Sequence, residues 1–220
     1  MRRLLVWILL LAVTLTVAIW RAPASLIALF ITPESARTAQ IHSLTGTLWS
    51  GAATLSITGV PPTLSVAWRC RPSLSPLGLY CQLNDSIAGS VSVDALASAL
   101  RAETLTATLP IQVAAAGITL GASPKVMADF ASVVATKNAL AIKGTVRAFD
   151  AVYRVGNGTV AIGELTVDCA PAADAISSTC AVSNRGGSAR LDGKLTLTPS
   201  KASGELTLTP TGGATQRVVF

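Results

Sequence analysis

The sequence is poor in the residues on which most catalytic and metal sites depend. His42 is the single histidine, and 11 carboxylates are spread thinly along 220 residues. Acid–base catalysis and metal binding need several such side chains brought together, and no Cys-x-x-Cys spacing occurs. Asp129, Asp150 and Asp168 fit a surface charge, a turn residue and a solvent-facing strand position. We therefore predict no enzyme, no cofactor and no metal.

Charged and aromatic residues are also scarce, at 13% and 5% of the chain. A helical bundle needs Glu, Lys, Gln and Arg on its wet faces, whereas Val, Thr and Leu suit strands, so the composition favours β structure. The net charge is +6, but the basic residues form no run and do not alternate with aromatic residues. This argues against nucleic-acid binding and leaves open an attraction to an anionic membrane surface or an acidic partner.

Two short segments resemble functional motifs but lack their defining residues. In "TLWSGAA" no glycine stands two positions before Ser50, as a nucleophile elbow requires. The glycine cluster "NRGGSAR", Asn184 to Arg190, lacks the Gly-Lys-Ser/Thr ending of a phosphate-binding loop. We interpret the first as the start of a strand and the second as a β-turn.

The N-terminus carries a long apolar run. After Arg2 and Arg3, the segment from Leu4 to Trp20 has no charge and ends at Arg21. This is about 17 residues, the minimum for a spanning helix. The basic residues before it predict a cytoplasmic N-terminus. We expect residues 1–32 to be an uncleaved anchor and residues 33–220 an exported domain, although cleavage after Ala22-Pro23-Ala24 is an alternative.

The four cysteines indicate export to an oxidising compartment. Cys70 and Cys81 have the same spacing as Cys169 and Cys180, and each cysteine shares a strand face with apolar side chains. Two local disulfides, Cys70–Cys81 and Cys169–Cys180, are therefore predicted, as in small domains of the periplasm.

Strand patterns recur along the exported part between turn residues. Apolar and polar residues alternate at Thr47–Ile57, Leu64–Cys70, Leu105–Leu109, Leu140–Ala148 and Leu165–Cys169. The segments "GELTVDCAP", "GKLTLTPS" and "GELTLTPT" repeat one pattern, and the last two predict a hairpin joined through Ser200 to Ser203. In "PKVMADFASVVAT", Pro124 to Thr136, apolar residues recur at helical intervals, which predicts one short helix. The expected fold is mostly β, an N-terminal transmembrane helix followed by a curved antiparallel sheet with about one short helix.

The segments "GTLWSG" and "LSVAWRC", placed after a single apolar run and a short linker, resemble the protein N component of the type II secretion system, the general secretion pathway protein N family. More distantly, the chain is similar to AsmA-like envelope proteins. The motif residues are Gly46, Thr47, Leu48, Trp49, Gly51 and Trp68. Gly46 and Gly51 are expected to admit close backbone approach, and Trp49 is expected to be a core anchor beside Trp68.

The resemblance implies a non-enzymatic, single-pass protein of the bacterial inner membrane whose periplasmic domain helps to assemble a secretion machine. Its partners would be other secretion components, namely the inner-membrane platform, with the outer-membrane secretin as a further alternative. A second hypothesis is a lipid-handling envelope protein in which the concave sheet face binds acyl chains. A filled apolar face with a bare edge favours a protein partner, whereas an open apolar groove favours lipid.

Overall fold

The structure is a computed structural model that describes Thr14 and residues 21–25, 39–57, 60–74, 77–109, 118–155, 158–174, 176–212 and 214–219. The predicted anchor, residues 1–32, lies outside the described residues except for Thr14 and residues 21–25. Among the described residues, no helix combines the length and apolarity needed to cross a membrane.

The described residues form thirteen antiparallel strands in one sheet, in which every strand pairs with its neighbours in sequence. The mostly β, antiparallel class is thus confirmed. The strands are β1 Ala39–Gly46, β2 Ser50–Ile57, β3 Val60–Leu74, β4 Leu77–Asp85, β5 Ile87–Asp94, β6 Ala99–Leu109, β7 Ile118–Ala135, β8 Leu140–Val155, β9 Gly158–Pro171, β10 Ser178–Arg185, β11 Ala189–Leu197, β12 Ala202–Pro210 and β13 Gln216–Val219.

The strand register places apolar residues on one face of the sheet and polar residues on the other. On the apolar face Trp68 lies opposite Leu83, and Val167 lies opposite Val182. On the polar face Arg69 lies opposite Gln82, and Thr145 donates a hydrogen bond to Asp168. This division follows from the alternation of side chains along each strand.

The tightest packing lies on the apolar face of β7 to β12. Ile162 is fully buried, and Leu191 and Leu208 are each 2% exposed. They belong to one cluster, which also contains Val126, Ala151, Val182, Ala189 and Leu206. The C-terminal half of the apolar face is therefore filled by the protein's own side chains.

The short helix predicted at Pro124 to Thr136 is wrong, because these residues belong to β7 up to Ala135. The strand register shifts between Phe130 and Ser132. Val126 and Phe130 precede this bulge on one strand face, four residues apart, and the extra residue then places Val133 on the same face only three residues further on. Those spacings imitate one face of a helix.

The hairpin predicted at the end of the chain is present. β11 and β12 pair along their whole length, and Thr198 and Lys201 close the turn through a backbone hydrogen bond of 2.9 Å. In the repeated Gly-x-Leu pattern, Gly193 lies opposite Leu206, and Gly204 lies opposite Leu195. Each leucine therefore occupies the space beside the glycine of the other strand.

Candidate functional site

The motif "GTLWSG" forms the tight turn between β1 and β2. The Thr47 N–H donates to the Ser50 carbonyl oxygen at 2.8 Å, and the Ser50 N–H donates to the Thr47 hydroxyl at 3.2 Å. Gly46 has a φ of +92°, a conformation that side chains other than glycine rarely adopt. Trp49 lies in this turn, half-buried, and not on β2 as the predicted strand Thr47–Ile57 implied.

Trp68 fixes this turn from β3. Its indole N–H lies 3.3 Å from the Thr47 carbonyl oxygen and 3.2 Å from the Leu48 carbonyl oxygen, and it donates to both. Gly51 lies directly opposite Trp68, and a Cβ built on Gly51 would lie 2.5 Å from the Trp68 ring. The structure thus brings Gly46, Thr47, Leu48, Trp49, Gly51 and Trp68 together; we call this group the motif corner.

The motif corner also binds the chain segment that follows the apolar N-terminal run. The Leu48 N–H donates to the Ala22 carbonyl oxygen at 3.0 Å, and Pro23 forms a β-bridge with Thr47. Ala22 and Ala24 are buried, with 9% and 1% exposure. Residues 21–25 are therefore attached to the sheet at the β1–β2 turn.

A pocket of about 390 Å³ lies next to the motif corner, on the polar face. The Arg71 guanidinium lies over the Tyr80 ring, 5.0 Å from its centroid, in cation–π geometry. Among the described residues, neither Arg69 nor Arg71 forms an ion pair. The pocket is lined by Trp49, Arg69, Cys70, Arg71, Pro72, Tyr80 and Gln82.

The pocket was not among the sites expected from the sequence. The usable signal is "WRCRP", in which Arg69 and Arg71 alternate with Cys70 and therefore share one strand face. Tyr80 and Gln82 lie opposite them on β4. The arrangement offers two guanidinium groups and two aromatic rings, which suits an anionic group attached to an apolar body.

Both predicted disulfides are present. Cys70 is bonded to Cys81 and Cys169 to Cys180, and the cysteines of each pair are direct cross-strand partners. Cys180 is fully buried in the C-terminal half, whereas Cys70 and Cys81 are partly exposed beside the pocket. The sheet therefore has one disulfide in each half.

The other residues considered in the sequence analysis lie in hydrogen-bonded, exposed or turn positions. His42 forms a hydrogen bond of 2.7 Å with the Ser56 hydroxyl, and Asp129 and Asp150 are exposed. The segment Asn184 to Arg190 contains the β10–β11 turn, where the Asn184 side chain donates to the Ile162 and Ala189 carbonyl oxygens. Within the part of the chain that the structure describes, no group of three or more His, Cys, Asp or Glu residues could hold a metal ion.

Comparison with known proteins identifies no relative. No protein family matches the chain, and no curated protein or solved structure matches it.

Proposed function

We propose that the protein is a membrane-anchored assembly component of a type II secretion system, with the sheet in the periplasm and the N-terminus in the cytoplasm. In this proposal the anchor is the apolar run ending at Trp20, and the protein acts by contact without catalysis. The resemblance of the motif residues to the protein N family motivates the choice of machine. The two disulfides support an oxidising compartment.

One observation carries the proposal of a protein partner: the apolar face is filled in its C-terminal half, and the described sheet has an unpaired edge. In the described sheet, β1 pairs only with β2. It is eight residues long and leaves a row of backbone N–H and C=O groups on its outer side. An extended segment of a partner can add to such an edge by main-chain hydrogen bonds. β13, the opposite edge, has only four residues.

Photo-crosslinking from the β1 edge tests this proposal. A photoreactive amino acid replaces Gln40, which is exposed on β1, and in a matched control it replaces Lys194, which is exposed on the interior strand β11. Irradiation of membranes is expected to link position 40, but not position 194, to another secretion component. Equal adducts at both positions, or adducts only with unrelated proteins, would contradict the proposal.

A lipid-binding function is the second candidate, and one feature of the N-terminal half favours it. Val93 on β5 and Leu100 on β6 are cross-strand partners, and each is 42% exposed. They belong to the same face as the filled cluster but lie outside it. Acyl chains released by solvent extraction of the purified protein, and reduced by Leu100→Ser, would support this candidate over the first.

A further inference from the structure

Large apolar side chains are exposed at the hairpin tips of one end of the sheet. Leu74 and Leu77 flank the β3–β4 tip and are 88% and 49% exposed. Leu96 in the β5–β6 turn is 81% exposed, and Ile176 before β10 is 54% exposed. We call these four residues the hairpin-tip surface. Single exposed apolar residues need no explanation, but four large ones at the same end of a sheet can together contact an apolar partner.

The turns hold two of these side chains in fixed positions. The Asp94 carboxylate accepts the N–H groups of Leu96 and Ala97, at 3.0 and 2.9 Å. The Asp174 carboxylate accepts those of Ile176 and Ser177, at 3.0 and 3.1 Å. Each turn is thus closed by its own aspartate while its apolar residue points outward.

The opposite end of the sheet is different. Its described turns, at Asp85–Ser86, Arg185–Ser188 and Thr211–Gly212, are formed by polar residues and glycine. None of the large exposed apolar residues of the described chain lies in these three turns. Among the described turns, those that carry a large exposed apolar residue therefore all lie at one end of the sheet.

The hairpin-tip surface lies at the same end as the motif corner. In an antiparallel meander alternate connections fall on one side. The β1–β2, β3–β4, β5–β6 and β9–β10 connections lie there, together with the β7–β8 and β11–β12 turns, which carry no large exposed apolar residue. Residues 21–25, which directly follow the uncharged run ending at Trp20, are attached there through Ala22 and Pro23. Arg69 and Arg71 face the pocket beside this attachment.

We propose that this end of the sheet rests on the bilayer surface, with the hairpin-tip surface in the interfacial region and the Arg69–Arg71 pocket holding the phosphate of an anionic phospholipid headgroup. This inference rests on the anchoring that the proposed function includes. Leucine gains from leaving water for the interface, and arginine, tryptophan and tyrosine are favoured at headgroup depth. A soluble acidic peptide would use the arginines but would give no role to the four exposed apolar side chains.

Fluorescence quenching of the full chain in vesicles tests the orientation. The described residues contain no free cysteine, so Leu96→Cys adds a thiol that can carry an environment-sensitive fluorophore. Arg185→Cys places the same label at the opposite end. Spin-labelled lipid is expected to quench the label at position 96 and to leave that at position 185 unchanged. Equal quenching, or none at position 96, would overturn the inference.

Lipid selectivity tests the pocket. The full chain is purified from micelles containing phosphatidylglycerol and phosphatidylcholine, and the retained lipids are counted by mass spectrometry. Two arginines at a membrane surface contribute up to roughly 30-fold in preference for anionic lipid, which the double variant Arg69→Gln/Arg71→Gln is expected to lose. Arg147→Gln, an exposed arginine on β8, is the matched control and keeps the preference.

Three further measurements distinguish a phospholipid from other anions, and the bilayer contact from the membrane anchoring. Excess inorganic phosphate should leave the retained phosphatidylglycerol unchanged, and its complete displacement would identify a free-anion site instead. An acidic peptide that binds through the arginines without any lipid preference would likewise overturn the inference. Extraction at alkaline pH reports on the anchor alone: a chain released from membranes refutes the anchoring, whereas a retained chain with an unquenched position 96 refutes only the bilayer contact.

Discussion

At Gly51 the backbone of β2 passes directly against the indole ring of Trp68. A side chain there would meet the Thr45 carbonyl oxygen and would lie 2.5 Å from the ring. Gly51→Val is therefore expected to lower the free energy of unfolding by about 1–3 kcal/mol. The control is Ala52→Val on the neighbouring exposed position, where a β-branched residue suits the strand. Urea unfolding of the full chain in detergent measures both, and equal stabilities would refute the predicted steric conflict.

Trp68 stabilises the β1–β2 turn through one donor shared by two carbonyl oxygens. Trp68→Phe keeps most of the apolar ring but removes the indole N–H that reaches Thr47 and Leu48. A lost hydrogen bond of this kind costs about 1 kcal/mol. Hydrogen exchange of the β1–β2 turn amides should accelerate in this variant while β10 amides keep their protection. Unchanged exchange at the turn would show that the hydrogen bonds are not maintained in solution.

Asp174 gives the β9–β10 turn a predictable dependence on pH. Backbone hydrogen bonds from Ile176 and Ser177 lower its pKa below the ordinary value of 3.8. A carboxyl with a lowered folded pKa stabilises the fold above the unfolded pKa, and this contribution is lost as pH falls through the folded value. The stability of the wild type relative to Asp174→Asn is therefore expected to stay constant above about pH 5 and to fall as the pH drops below it. A constant difference down to about pH 2 would contradict this account.

At the scale of the element, the two disulfides form a matched pair. Both join residues separated by 11 positions, so the chain-entropy contribution of about 3 kcal/mol is the same for each. Cys180 is fully buried, so Cys169→Ala/Cys180→Ala also leaves a cavity in the filled core. We expect this variant to melt at a lower temperature than Cys70→Ala/Cys81→Ala. The reverse order would mean that the N-terminal half is the more tightly packed one.

Elements differ in how far the sequence predicts them. The alternation in Leu165–Cys169 correctly indicates part of β9, because no register shift falls within it. The segment Pro124 to Thr136 has the pattern of a helix because the bulge near Phe130 changes the phase of the alternation. The alternation of apolar residues predicts a strand at Trp49, because this pattern does not reveal the Thr47 hydroxyl, which accepts a hydrogen bond from Ser50 and closes the turn. Bulges and side-chain-closed turns depend on contacts that a period of two does not encode.

At the scale of the whole molecule, the sequence predicts an antiparallel sheet and both disulfides, but not the number of strands or their order within the sheet. A sheet of 13 strands in sequence order needs every connection to join adjacent strands, and no local pattern specifies this. The Arg69–Arg71 pocket was also missed, because it depends on Tyr80 and Gln82 being placed opposite by the strand register. The motif residues, in contrast, were identified from sequence and meet in one corner.

Deletion of the gene that encodes this chain is the most direct test of the proposal that the protein helps to assemble a type II secretion machine. The measurement is the fraction of secreted enzyme that reaches the medium, compared with the fraction retained in the periplasm. We predict retention in the periplasm without the chain and recovery when the wild-type chain is returned. Normal secretion in its absence, accompanied by an altered envelope lipid composition, would contradict the assembly role and favour the lipid-binding alternative.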